Sequence, residues 1–289
     1  MKVGFFCIGI GPSARPEVID LIARSTEACG YFSLWAPEHI VLLDKYASSY
    51  PYTQTGRMPF EDLAVDFLDP YLALTYAAAV TKKIRLGTGI SLVPERQPLT
   101  LAKEVATLDL LSNGRFDFGV GIGWMKEEFD ALQVPWPRRA ERTRDYLAAM
   151  QAAWTQASSS HAGEFCRFEG VRSYPKPVQK PHPPIIFGGE SAPALKRVGE
   201  IGDGWWGVNV TPESAKAHIA TIRAHAKDAG RDPERLFFSA TIGMGVPTTR
   251  DDLKRFEDVG VHQVIIGAFA ASADEYTRLI EDTARALIA

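Results

Sequence analysis

The stretch Ile84–Phe129, IRLGTGISLVPERQPLTLAKEVATLDLLSNGRFDFGVGIGWMKEEF, decides the fold. Ile84–Leu92 is a β-rich run, and Leu101, Val105 and Leu108 then recur at helical spacing on one face. Ser112-Asn113-Gly114 is a helix stop, and Phe116–Val120 is a second short apolar strand leading into a glycine-rich loop. Strand, helix and strand in that order make a βαβ unit, whose loops after the strands are the usual binding edge.

The same alternation continues outward in both directions. Val3–Ile10 reads as a strand, Glu17–Cys29 as a helix, Ser33–Ala36 as a short strand and Tyr71–Val80 as a helix. Beyond Phe129 come a helix over about Arg138–Trp154, a polar break at Ser158-Ser159-Ser160, and a small accessory strand at Phe165–Phe168. Tyr174–Pro184 is a proline-punctuated extended linker. Four further strands follow, Ile185–Phe187, Trp205–Val208, Phe237–Met244 and Gln263–Gly267, each trailed by a helix. Most are continuous apolar runs, as expected of a parallel sheet buried on both faces. Eight strands each followed by a helix predict a (β/α)₈ TIM barrel over 1–289 as one domain, with insertions at about 37–69 and 158–184 over the C-terminal mouth. A doubly wound open sheet is the alternative, but it wants GxGxxG after the first strand, and Gly9-Ile10-Gly11-Pro12 is not that.

The formal net charge of −3 excludes an electrostatic footprint for nucleic acid, and no apolar run is long enough to span a bilayer. MKVGFFCIGIG begins like a signal peptide but lacks a small-residue cleavage site, and it reads better as a first core strand. Cys7, Cys29 and Cys166 are scattered and odd in number, which suits idle thiols in a reducing cytoplasm; no metal-ligand spacing is present.

In a barrel, side chains at the C-terminal strand ends compete for chemical roles. Glu38-His39 follows the second strand, and an imidazole beside a carboxylate suits proton transfer near neutral pH, although adjacent residues in an extended segment point opposite ways. A capping pair is the structural alternative. Gly188-Gly189-Glu190-Ser191 opens a helix after the fifth strand, where free N–H groups and the helix dipole make a phosphate site; a plain tight turn capped by Ser191 is the alternative. Gly87-Thr88-Gly89-Ile90 puts glycine inside a strand, a mark of a bulge or of close ligand approach. Gly119, Gly121 and Gly123 alternate along the fourth strand and would leave a flat floor for a planar ring. Trp35, Trp124, Trp205 and Trp206 lie at or near strand ends, where they would wall an apolar pocket or simply pack the core. Arg138, Arg139 and Arg142 read as an exposed first helical turn.

These pieces in this order resemble the luciferase-like monooxygenase superfamily, and within it the branch of coenzyme F420-dependent oxidoreductases. The resemblance covers essentially the whole chain. It rests on WAPEH, SYPYTQTGRMPF, the Asp69–Phe116 stretch, GVGIGWMKEEFDALQVPWPRRAERTRD, KPVQKPHPPIIFGGES and GDGWW. It implies a barrel with a flavin or deazaflavin at its C-terminal mouth, usually in a homodimer. Carried over, Glu38 and His39 would be catalytic beside the reactive edge of the ring, with His39 handling the proton. Thr88, Gly89 and Ile90 match the strand bulge that supports the ring, often through a cis peptide, and Gly121 and Gly123 match its floor. Gly188, Gly189 and Ser191 match the phosphate turn. Trp35, Trp124 and Trp205 would form the substrate pocket. Where sugar-phosphate dehydrogenases of this superfamily place a carboxylate after the GxG of the fourth strand, this chain has Trp124, with Glu127 and Glu128 further along. The implied function is F420-dependent hydride transfer with a small apolar or aromatic substrate. An FMN-dependent monooxygenase served by a flavin reductase, and a catalytically silent cofactor-binding subunit, are the alternatives.

Overall fold

The computed structural model describes residues 1–6, 8–60 and 63–289, so Cys7 and positions 61–62 of the first long insertion lie outside the described residues. In chain order the strands are β1 (Lys2–Phe6), β2 (Ser33–Ala36), β3 (Arg85–Thr88), β4 (Ser91–Leu92), β5 (Phe116–Gly121), β6 (Ser159–Ala162), β7 (Arg167–Val171), β8 (Ile185–Gly188), β9 (Gly204–Val208), β10 (Phe237–Thr241) and β11 (Gln263–Gly267). Neighbours in the main sheet run β3, β2, β1, β11, β10, β9, β8, β5, and the pairing of β3 with β5 shuts the ring. Every pairing in it is parallel. This is the closed eight-stranded (β/α)₈ barrel that the alternation predicts.

The helices are α1 (Pro16–Ala28), α2 (Pro70–Val80), α3 (Pro98–Leu111), α4 (Lys126–Ala131), α5 (Arg139–Thr155), α6 (Ala192–Ile201), α7 (Pro212–Asp228), α8 (Arg250–Asp258) and α9 (Ala273–Leu287). Pro16, Pro70, Pro98 and Pro212 sit at first positions, where the missing N–H costs nothing. Asp69, Gln97, Thr211, Thr249 and Ser272 cap with their side chains. Ser191, ahead of α6, makes no such cap bond.

Two layers of core result. One large cluster fills the space between strands and helices. A smaller one, Trp35, Ile186, Trp206 and Ile265, plugs the barrel itself, and the Trp35 and Trp206 rings lie 5.0 Å apart.

The structure departs from the sequence reading in four places. The Ile84–Leu92 run is not one strand: a cis peptide between Gly89 and Ile90 divides β3 from β4. Ser158–Ser160 is not merely a break, because Ser159 and Ser160 begin β6, which pairs antiparallel with β7. Asp145 of α5 anchors that hairpin, accepting from Phe165 N and Cys166 N and lying 2.6 Å from His161 Nε2. The helix α4 was not anticipated, being too short for a periodicity signal. Finally, Arg142 is not exposed: it is buried on α5 and donates to Pro135 O at 2.6 Å. Among the described residues no helix is long and apolar enough to cross a membrane.

Candidate active site

A cavity of about 270 Å³ opens at the C-terminal ends of the strands. Its walls come from loops after β1, β2, β3, β5, β8, β9, β10 and β11, so it lies where a barrel places its chemistry.

His39 lies on this wall, and its partner is not Glu38. Its Nδ1 stands 2.6 Å from Glu128 Oε2, and both side chains are nearly buried, at 8% and 1% exposure. The Trp124 indole N–H points to His39 Nε2 at 3.4 Å. An indole nitrogen only donates, so Nε2 is the accepting nitrogen and Nδ1 carries the proton toward Glu128. The Phe67 and Trp124 rings meet the imidazole edge-on, which fixes its plane.

Glu38 also borders the cavity, but its oxygens are taken. Oε1 accepts from Arg96 Nε at 2.7 Å, and Oε2 accepts from Ser91 Oγ at 2.9 Å and Leu92 N at 2.5 Å. Burial works against the Arg96 charge, but the carboxylates of Glu38 and Asp69 overcome it and raise the guanidinium above its ordinary value. Glu38 therefore ties β4 to Arg96, in the turn before α3. A third carboxyl, Glu95, is buried with both oxygens unpartnered among the described residues. Burial first, then the charges of Glu128 and Glu38, push it up to about 10, so it is a neutral acid at physiological pH.

The floor is not the bare glycine plane that the sequence suggests. A Cβ at Gly121 or Gly188 would come 2.5 or 2.7 Å from Ile90 Cδ1, and one at Gly89 would come 2.5 Å from the Trp206 ring. The glycines thus make room for Ile90 and Trp206, and those two side chains form the shelf. Thr88 does not reach the cavity; its hydroxyl donates to Gly119 O at 2.7 Å inside the sheet.

Of the tryptophans, Trp124 and Trp206 line the mouth. Trp35 faces the opposite end of the barrel. Trp205 is buried under α7, where its indole N–H holds Gly189 O at 3.0 Å. It supports the glycine turn and does not wall the pocket.

Gly188, Gly189 and Ser191 line the other end of the cavity, with Gly189 at φ +102°. Beside them lies Arg197, one turn into α6, which the sequence reading missed. It is buried, borders the cavity, and its Nε has no partner among the described residues. Burial, then the charges of Arg144 and Arg139, lower its guanidinium from the ordinary value. A buried cation beside an uncapped helix start and a glycine turn is an anion site. A planar ring carrying a phosphate therefore fits the residues present: Ile90 and Trp206 for the ring, and the turn with Arg197 for the phosphate. The remaining walls are mostly apolar, with Met58, Phe60, Phe67, Met244 and Phe269 beside Tyr50, Tyr52 and Thr241. Apart from Thr241, they come from irregular loops, which carry no periodic signal.

Comparison with known proteins accords with this geometry. The chain is 35% identical over 282 residues to an uncharacterised protein of Mycobacterium tuberculosis, covering 96% of this chain and 94% of the relative. It is 36% identical over 155 residues to the FMNH(2)-dependent dimethylsulfone monooxygenase of Pseudomonas putida, covering 53% of this chain and 42% of that one. Its fold is similar to that of an F420-dependent secondary alcohol dehydrogenase solved with an F420–acetone adduct, at a TM-score of 0.78, 18% identity, and 99% and 98% coverage. The luciferase-like monooxygenase family, whose members are flavin- or F420-dependent oxidoreductases and monooxygenases, matches residues 1–285, and this chain belongs to it.

Proposed function

We propose that this protein is a coenzyme F420-dependent oxidoreductase acting on a small, neutral, apolar or aromatic substrate, with His39 as its proton-handling residue. The observation that carries the reading is the His39–Glu128 pair at 2.6 Å, with Nε2 as the accepting nitrogen on the cavity wall, held among the described residues only by the long 3.4 Å contact from the Trp124 N–H.

When bound, a deazaflavin accepts or supplies a hydride. Everything else falls to the chain. Ile90 and Trp206 support the ring, and Gly188, Gly189, Ser191 and Arg197 hold the phosphate. His39 Nε2 takes the proton that a substrate hydroxyl loses, and in the reverse direction returns it. Glu128 keeps the imidazole in the right tautomer and stabilises its charged form, while Glu38 holds β4 in place. Phe60, Phe67, Met58 and Phe269 exclude water and offer no charge to a charged substrate. Lys45, Arg57 and Lys176 are surface cations for an acidic cofactor tail, and Arg197 borders the cavity, with Arg139, 3.6 Å over Trp136, donating to Gly123 O beside it. Cytoplasmic residence and pairing of two copies through the exposed faces of α2 and α3 belong to the same proposal.

The FMN-dependent monooxygenase reading keeps one support, the 155-residue similarity to a monooxygenase that uses FMNH(2). A fluorescence titration of the purified protein with F420 and, in parallel, with FMN separates the two. Micromolar binding of F420 alone is the expected result. Preference for FMN would replace the proposal with the monooxygenase, and binding of neither would favour a silent subunit.

A further inference from the structure

A second cavity, of about 880 Å³, opens at the N-terminal end of the barrel, away from the site above. Nothing in the proposed reaction uses it. Its deep wall includes Trp35 and Ser239, and its rim includes Lys2 and Arg235.

Barrel interiors are normally packed with branched apolar side chains. Here the lowest layer is polar. Lys2 is the register partner of Gln263 on β11, and Gln263 is the register partner of Ser239 on β10, so the three form one rung across adjacent strands. Gln263 Nε2 donates to Ser33 Oγ, and Ser33 Oγ accepts the Trp35 indole N–H at 2.7 Å. Gly4 makes the space for this contact, because a Cβ there would come 2.3 Å from Gln263 Nε2.

The rung is not satisfied. Ser239 and Gln263 are each 1% exposed, yet Ser239 Oγ and Gln263 Oε1 have no hydrogen-bond partner among the described residues. Polar atoms so buried are ordinarily paired. The Lys2 ammonium lies 4.2 Å from the Phe32 ring centre and 5.0 Å from that of Phe237, with no carboxylate at ion-pair distance among the described residues. The nearby carboxylates are committed elsewhere: Asp117 to Arg85, Asp203 to Arg231 and Ile185 N, and Asp232 to Glu234 N. What stays open on the cavity wall is one hydroxyl donor, Ser239, and one cation, Lys2.

We propose that this lower cavity binds a small oxyanion, a phosphate or a carboxylate, held by Ser239 and Lys2 beneath Trp35. The Ser239 O–H donates to the anion, and Lys2 supplies the charge. Arg235 on the rim adds attraction for anions. Because Trp35 touches Trp206, and Trp206 packs against Gly89, an occupant here would sit at the base of the shelf of the upper site.

The test is calorimetric titration of the full chain with inorganic phosphate and, separately, with glycolate, with Trp35 emission followed alongside. Saturable one-to-one binding at about 10 mM or tighter is expected for at least one of them. Phosphate alone would identify a phosphate site, and glycolate alone a carboxylate site. Ser239→Ala should weaken the binding at least tenfold. So should Lys2→Gln, which lies on the exposed rim and leaves the core intact. The titrations are run in the Arg197→Gln background as well, where the upper anion site is weakened, and the component that Ser239→Ala and Lys2→Gln remove should persist there. Absence of saturable binding by either probe would overturn the proposal. So would binding that survives Ser239→Ala and Lys2→Gln but is lost with Arg197→Gln.

Discussion

Glu128 Oε2 stands 2.6 Å from His39 Nδ1, and the other oxygen of the same carboxylate accepts Ile40 N at 2.7 Å and Val41 N at 3.2 Å. One side chain from α4 thus fixes both the imidazole and the backbone that carries it. Glu128→Gln keeps the size but removes the charge that stabilises an imidazolium. Turnover should fall by about a hundredfold, the low end of what positioned proton transfer contributes. Affinity for the cofactor should stay within about threefold, because the phosphate site is untouched. Steady-state rates and a binding titration on the same preparation check both. Unchanged turnover would remove the pair from the chemistry.

Arg197→Gln should do the reverse. A charge-assisted contact to phosphate carries about 1.5–3 kcal/mol, so the cofactor dissociation constant should rise by about tenfold to a hundredfold. Stability should hold or improve, since the variant removes a buried guanidinium whose Nε is unpaired. Fluorescence titration and thermal melting read the two effects separately.

How much of this was legible in the sequence differs sharply between fold and site. Strands such as Phe116–Val120 and Gln263–Gly267 announce themselves because burial on both faces demands unbroken apolar runs. His39 and the Gly188–Gly189 turn were legible because strand ends in a barrel converge on one mouth. The partner of His39 was not: adjacency argued against Glu38, whose side chain points the other way, but nothing local points to Glu128, 89 residues away. Trp35 and Trp205 show the limit of composition. A tryptophan near a strand end can face the mouth, the opposite end or the helix layer, and only strand register decides which. Arg197 gave no signal, since an arginine on a helix is ordinarily solvated.

Leu72 and Tyr76 on α2, and Leu110 and Leu111 on α3, are exposed, with Leu72 at 73%. Large apolar side chains left exposed on neighbouring helices are candidates for an association surface. If two copies pair there, Leu72→Asp combined with Leu111→Glu should convert a dimer to a monomer in sedimentation or size-exclusion measurements, with the cofactor site intact. A wild-type protein that already runs as a monomer would end the pairing proposal.

Glu127 gives a pH-dependent expectation on the acid side. Burial opposes ionisation slightly, but Ser48 Oγ and the N–H groups of Ala47 and Ser48 bond the carboxylate and lower it to about 2. A carboxyl depressed in the folded state contributes above its unfolded value, and the contribution fades as pH falls toward about 2. At neutral pH Glu127→Gln should therefore speed amide exchange at Ala47 and Ser48, and the difference from wild type should shrink below about pH 3. A difference that persists unchanged at low pH would show that the clamp does not depend on charge.

Glu95 works with the opposite sign. Its carboxyl is raised from 4.5 to about 10 in the folded protein, so the folded state holds a proton that the unfolded chain releases above 4.5. Stability must then fall as pH climbs from 4.5 toward about 10, because the unfolded state binds fewer protons throughout that window. Glu95→Gln keeps the shape and the neutral state while removing that linkage. The variant should melt a few degrees higher than wild type at about pH 8.5, and its melting temperature should decline less steeply between about pH 6 and 9. Well below pH 4.5 the advantage should vanish, because residue 95 is then neutral in both proteins and in either state. Parallel slopes for the two proteins would mean that Glu95 is ionised in the fold, so that Glu128 and His39 work beside an extra negative charge.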